Sequence, residues 1–206
     1  VIYLMRHGDI RTDARKRYIG GQTDLPLNPR GEACAKKWQN ALARVRFDRI
    51  ICSDLSRTRQ TARIIAGSRP IPVEENRAFR EIDMGRWDGQ FMSHIKTHFF
   101  GAWQRRGEDI ENFRPPGGES FRDLLERSLP EFLKLPERFP GNVLVVAHAG
   151  VNRVLLCHLL GIPLERIFTI KQAYACLNLI SFSPHRKIAA INKEVHEWEE
   201  IPAVRQ

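Results

Sequence analysis

Residues 142–161 read NVLVVAHAGVNRVLLCHLLG. Val143 to Ala147 form an apolar run with no polar break, which predicts a strand buried on both faces. His148, Ala149 and Gly150 then lead directly into an apolar helical pattern that stops at Gly161. Strands of this continuous kind belong to the interior of parallel sheets, and a helix running straight off one makes an α/β unit. A parallel strand needs neighbours of the same type, so the rest of the chain must supply them.

It supplies two. VIYLM (1–5) repeats the pattern and runs into Arg6, His7, Gly8 and Asp9. FDRIICS (47–53) is a third strand, followed by the helix LSRTRQTARIIAG (55–67) with Leu55, Ala62, Ile65 and Ala66 inward and Gly67 as its stop. NPRGEACAKKWQNALARV (28–45) predicts a helix capped by Asn28 with Pro29 in its first turn, and an inward stripe of Ala33, Trp38, Ala41 and Val45. IPVEEN (71–76) is a short strand. Residues 79–118 read as irregular apart from one helix around 91–105. Phe121, Leu124, Leu125, Leu129, Phe132 and Leu133 mark another helix, with Pro130 as a kink. ACLNLISF (175–182) and KIAAIN (187–192) predict a late hairpin across SPHR, and the tail after Asn192 has no period. The sum is an α/β chain with a mostly parallel sheet.

Bulk numbers agree. The 206 residues, 42% hydrophobic and 28% charged, suit a single globular domain, and no apolar run is long enough to span a membrane. The chain starts at Val1, which fits a trimmed start or a piece of a longer protein. Four cysteines (Cys34, Cys52, Cys157, Cys176) without a CxxC predict reduced thiols and a cytoplasmic setting. Net charge is +9, and residues 1–60 hold 13 Lys and Arg against 6 Asp and Glu, so the excess is concentrated near the start. Such a field draws anions. Aromatic interleaving and zinc-finger spacing are lacking, so nucleic acid is not the expected partner.

Ligands of open α/β sheets gather beyond the carboxyl ends of the strands. That rule selects Arg6–His7–Gly8, then Ser53, Asp54 and Arg57, then His148–Ala149–Gly150, and draws in Glu81 from the irregular stretch. Guanidinium forks match phosphate oxygens, and the N-termini of the helices after these strands are expected to add N–H groups. The predicted target is a phosphoryl group. Neither HExxH nor GxxxxGK[ST] occurs, which leaves a metal-free phosphoryl site in which a histidine can be the nucleophile. His94, His98, His158, His185 and His196 are expected on the surface, in the core or partly exposed. The non-enzymatic alternative is an anion- or nucleic-acid-binding module.

LMRHGD (4–9), GGQTDLPLNPRG (20–31), ICSDLSRTRQTA (51–62), FREIDMGRWDG (79–89), PPGGES (115–120) and VVAHAG (145–150) follow in the order of the histidine phosphatase superfamily. The resemblance is to its phosphoglycerate-mutase-like branch and covers residues 1–182, leaving the tail 183–206 outside. It implies a three-layer α/β/α sandwich and transfer through a phosphohistidine without a metal or organic cofactor. Carried over, His7 is the nucleophile, Arg6 and Arg57 hold phosphoryl oxygens, His148 completes the clamp, and Glu81 is general acid and base. The common RHGETxxN is altered here: Asp9, Ile10 and Asp13 replace Glu, Thr and Asn. An amide at position 13 would donate to phosphate, whereas the Asp13 carboxylate repels it unless its loop turns it away.

Mutases of this family close their pockets with inserted sequence, and the stretch after RWDG is short here, which favours hydrolysis. RYIGGQTDLPLNPRG with REIDMGRWDG looks most like the α-ribazole-phosphate phosphatase group of cobalamin assembly. Phosphoglycerate mutase and a broad sugar or metabolite phosphatase are the alternatives. The substrate is expected to be a small anionic phosphomonoester. Side chains expected to read its leaving group are Arg11, Arg15, Tyr18, Thr23, Arg86, Trp87, Phe91, Phe99, Phe100 and Trp103.

Overall fold

β1 (Ile2–Arg6), β2 (Phe47–Cys52), β3 (Val73–Glu75), β4 (Asn142–Ala147), β5 (Leu177–Ser181) and β6 (Lys187–Lys193) form one sheet in the order β3-β2-β4-β1-β5-β6. The first four in that order are parallel, and β5 and β6 add an antiparallel edge. The computed structural model describes residues 1–10, 21–182, 185 and 187–200. Arg11, Asp13, Arg15, Tyr18 and most of the SPHR turn lie outside these, as does the tail from 201.

The helices are α1 (Pro29–Ala41), α2 (Ser56–Ala66), α3 (Met92–His98), α4 (Phe100–Glu108), α5 (Phe121–Leu133), α6 (Leu135–Arg138) and α7 (Ala149–Leu160). Strand side chains alternate between two cores. Tyr3, Met5, Ile50, Leu144 and Val146 pack with Trp38 and Leu42 near and in α1 and with Ala62 and Ile65 of α2. Ile2, Leu4, Ile51, Val143 and Val145 face the other way, onto Leu124 and Phe132 of α5 and Val151, Val154 and Leu155 of α7. The sheet is thus flanked on both faces, as the sequence predicts. Among the described residues no helix is long and apolar enough to cross a membrane.

Four details differ from the sequence reading. α1 ends at Ala41, and its inward side is Ala35 and Trp38; Ala33 is exposed. The helix expected around 91–105 is two, divided at Phe99. α5 continues through Pro130 to Leu133, with the next short helix starting at Leu135. The tail contributes a 3-10 helix, Val195–Glu200, whose Trp198 is buried against Trp38 and Tyr3 at ring distances of 5.6 and 6.0 Å.

Candidate active site

Because β1, β4 and β2 are parallel neighbours, their carboxyl ends lie along one edge of the sheet and bring Arg6–His7, His148 and Ser53 together. The backbone of His7 is held from both sides: its N–H donates to the Ala147 carbonyl at 3.0 Å, and its carbonyl accepts from Ala175 N at 2.9 Å. The ring stands edge-on to His148, with centroids 5.1 Å apart.

Hydrogen-bond partners decide the tautomers. His7 Nδ1 is 2.7 Å from the Gly8 carbonyl, which can only accept, so Nδ1 carries the proton and Nε2 keeps its lone pair. Arg57 Nε can only donate, and its partner at 3.3 Å is His148 Nδ1. His148 therefore carries its proton on Nε2 and donates to Ser53 Oγ at 2.7 Å. Ser53 in turn donates to Thr58 Oγ1 at 2.8 Å, and Thr58 to the Leu55 carbonyl at 2.7 Å. Burial, followed by the charges of Arg57 and Arg6, holds the His7 pKa well below the ordinary imidazole value. Burial, then Arg57 and His7, does the same for His148. Both rings are neutral at neutral pH.

The two arginines are fixed differently. Arg6 lies over the Tyr174 ring at 3.7 Å and donates from Nη1 to the Gln172 carbonyl at 2.6 Å. Its Nε is buried without a hydrogen-bond partner among the described residues. Arg57 is buried and donates from Nη1 and Nη2 to the carbonyls of Thr23 and Gly21 at 2.8 and 2.7 Å. Asp88 holds the other side of that turn, accepting from Gly21 N, Gln22 N and Thr23 N, and from Thr23 Oγ1 at 2.6 Å. A guanidinium has five N–H groups, so two of Arg57 have no acceptor among the described residues and suit an anion.

Two of the helix N-terminal amides are taken by carboxylates of the chain itself. Ser56 N at the start of α2 donates to Asp24 Oδ1 at 2.6 Å, and Gly150 N in α7 donates to Glu81 Oε2 at 3.1 Å. The α7 terminus thereby anchors the Glu81 carboxylate two residues from His148, with Ile82 N giving it a second bond at 3.0 Å.

Arg6, His7, Arg57, Glu81 and His148 are thus brought to one end of the sheet. Thr23 is there too, its carbonyl accepting from Arg57 and its hydroxyl bonded to Asp88. Trp87 does not line the site: it is fully buried against Phe99, Trp103 and Phe113 at ring distances of 6.3, 5.9 and 5.5 Å. Arg86 is exposed, and Trp103 is half-buried with Lys96 and Arg106 over its ring. Arg11, Asp13 and Tyr18 fall outside the described residues. Sequence reasoning missed Asp88, Gln172 and Tyr174, whose contacts join segments far apart in the chain. No group of three or more His, Cys, Asp or Glu able to hold a metal ion occurs among the described residues.

Residues 2–193 match the family model described as "Histidine phosphatase superfamily (branch 1)". The "Probable phosphoglycerate mutase GpmB" of an Enterobacter species is 35% identical over 165 residues, 79% of this chain and 75% of that protein. The "Adenosylcobalamin/alpha-ribazole phosphatase" of Salmonella typhimurium is 28% identical over 184 residues, 87% of this chain and 89% of that one. Among solved structures, the alpha-ribazole phosphatase of Shigella flexneri superposes with a TM-score of 0.84 at 26% identity, covering 93% of this chain and 96% of that chain.

Proposed function

Since the chain belongs to branch 1 of the histidine phosphatase superfamily, we propose that it hydrolyses small phosphomonoesters through a phosphohistidine at His7. The observation that carries this is the His7 tautomer: Nδ1–H is tied to the Gly8 carbonyl and Nε2 keeps its lone pair, on a ring that feels the charges of Arg57 and Arg6 and lies 5.1 Å from the His148 ring. In the first step Nε2 attacks phosphorus, and the ester P–O bond breaks with its electron pair going to the leaving oxygen. Glu81 delivers a proton to that oxygen. In the second step water attacks the phosphohistidine, Glu81 takes a proton back, the P–N bond breaks and orthophosphate leaves. Arg6 and Arg57 neutralise the phosphoryl oxygens. The unpartnered Arg6 Nε favours this role, since leaving a buried donor unpaired costs about 1–3 kcal/mol that a phosphoryl oxygen would relieve. His148 assists by exchanging its Ser53 bond for one to the transferring group.

Trapping with labelled substrate at neutral or alkaline pH tests the nucleophile, since phosphoramidates are acid-labile. The wild type should retain label and His7→Ala none; stoichiometric label on the variant would overturn the reading. Exhaustive chelation should leave the rate unchanged.

For the leaving group we favour an α-ribazole-like alcohol, supported by the named phosphatases the chain resembles and by Tyr174 beside His7 at a ring distance of 5.7 Å. The shortness of the 90–118 stretch supports hydrolysis over mutase chemistry. One observation favours a second reading, a leaving group with its own negative charge. Arg106 and Arg153 each lie 5.5 Å from the centre of the Phe168 ring, and neither has an ion pair among the described residues. Comparing kcat/KM for α-ribazole 5'-phosphate, glycerol phosphate and phosphoglycerate separates the two. The four cysteines are free thiols, which supports a reducing, cytoplasmic setting for one enzyme domain.

A further inference from the structure

Glu81 sits in a segment without regular structure, between short 3-10 helices at Arg77–Phe79 and Gly85–Trp87. A proton donor must be held within hydrogen-bond reach of the leaving oxygen, and an irregular loop has no ladder to hold it there. One ion pair takes over that task. Arg127, projecting from α5, donates from Nη1 to the Ala78 carbonyl at 2.7 Å. Its Nη2 reaches the carbonyls of Arg80 and Glu81 at 2.9 and 3.0 Å. Nε and Nη2 also grip the Glu119 carboxylate, at 2.7 and 2.9 Å. Glu119 Oε2 then accepts from Asp83 N at 3.0 Å, beyond the far side of Glu81. Every nitrogen of the Arg127 guanidinium is thus turned to the 78–83 segment or to the acid that holds its end. Gln22 Nε2 adds a second bond to the Glu81 carbonyl at 2.9 Å.

We propose that Arg127 and Glu119 are a positioning pair for Glu81, fixing its backbone so that its carboxylate meets the Gly150 amide and the leaving oxygen. Neither touches substrate. The inference rests on the reading of Glu81 as proton donor, and it assigns a catalytic consequence to two side chains of the PPGGES turn and α5 that the site itself does not contain.

Leaving-group dependence distinguishes positioning from general support of the fold. An alkyl phosphate needs the proton, whereas 4-nitrophenyl phosphate departs with little help. Four proteins are compared on both substrates in the pre-steady state: wild type, Glu81→Gln, Arg127→Met and the double variant. Arg127→Met should slow phosphoryl transfer from the alkyl ester by about 10-fold or more and from the aryl ester by less than about 3-fold, as expected when general acid catalysis worth roughly 10²–10⁴ is partly lost. In the Glu81→Gln background the same change should cost less than about 2-fold on the alkyl ester, because residues acting through one group are not additive. Glu119→Gln, which keeps the shape of the side chain, should show the same selectivity and decides the matter if Arg127→Met does not fold. Equal losses on both esters, or full multiplication of the two losses in the double variant, would overturn the pair. If Glu81→Gln itself treats both esters alike, the reading of Glu81 falls and the pair with it. If Glu81→Gln discriminates and Arg127→Met and Glu119→Gln do not, only the pair falls.

Discussion

His7 and His148 are both neutral because they are buried beside Arg57 and Arg6, and that has a measurable cost in acid. Their folded pKa values lie below the unfolded value of about 6.5, so below that pH the unfolded chain binds protons that the folded chain refuses. Stability is therefore full above about pH 6.5 and falls as the pH drops toward the folded values. The slope is up to about 1.4 kcal/mol per pH unit for each ring. Denaturant titrations from pH 7 to pH 5 should show this loss, and His148→Asn should roughly halve its slope whatever it does to the level. An unchanged slope would mean that the rings are not held neutral. At this scale the sequence was informative about the residues that follow strands: His7, Arg57 and His148 stand where the polar chemistry of a parallel sheet must stand. It was uninformative about Ser53 as partner of His148 and about Gln172 under Arg6, since nothing local marks such contacts. Trp87 misled for the opposite reason. An aromatic in an irregular stretch resembles a pocket wall until Phe99, Trp103 and Phe113 are folded over it.

The first turn of α7 joins stability to chemistry. A Cβ on Gly150 would lie 2.3 Å from Glu81 Oε1, the far end of a side chain that can move away, and 3.2 Å from Leu124 Cδ2, which must give by a few tenths of an ångström. Alanine also suits a helix better than glycine by about 0.8–1 kcal/mol. Gly150→Ala should therefore leave the melting temperature unchanged or higher while slowing alkyl phosphate hydrolysis by about 10-fold or more through displaced general acid catalysis. A comparable loss of both would show that Gly150 serves packing alone. At the start of α5, Ser120 Oγ accepts from Asp123 N at 3.1 Å while Asp123 Oδ2 accepts from Ser120 N at 2.9 Å. Removing that cap in Ser120→Ala should cost about 1 kcal/mol, read from urea unfolding. Elements were legible where period and caps agreed, as in β4 and in α2 with its Gly67 stop. The stripe of α1 was misplaced because Ala33 and Ala35 are the same residue type, and only their partners distinguish them. The division at Phe99 carries no proline or glycine to announce it. Trp198 reaches the core from a tail with no period at all, because one large side chain is enough to anchor a single 3-10 turn.

Across the whole molecule the charge of +9 sets the approach of substrate more than the fold. Screening lengths shrink from about 30 Å at 0.01 M salt to about 3 Å at 1 M. Accordingly kcat/KM for a phosphomonoester dianion should fall several-fold between low and high salt while kcat stays within about 2-fold. A parallel fall in kcat would place the effect in the chemical step. The layered architecture was legible because continuous apolar strands and helical runs alternate along the chain. Strand order was not, because it depends on pairings that join distant segments. That order also governs how the enzyme comes into being. Among the described residues β1 pairs only with β4 and β5, so during synthesis it waits for residues beyond 141 before any neighbour exists. Chains dominated by such remote pairings fold slowly, in roughly milliseconds to seconds. Meanwhile a bare apolar strand is open to wrong partners. The final register, Arg6 opposite Ala147, is also the one that brings His7 to His148. On refolding, helical signal should return before turnover does, and a nascent chain stalled short of β4 should need a chaperone to keep β1 from aggregating.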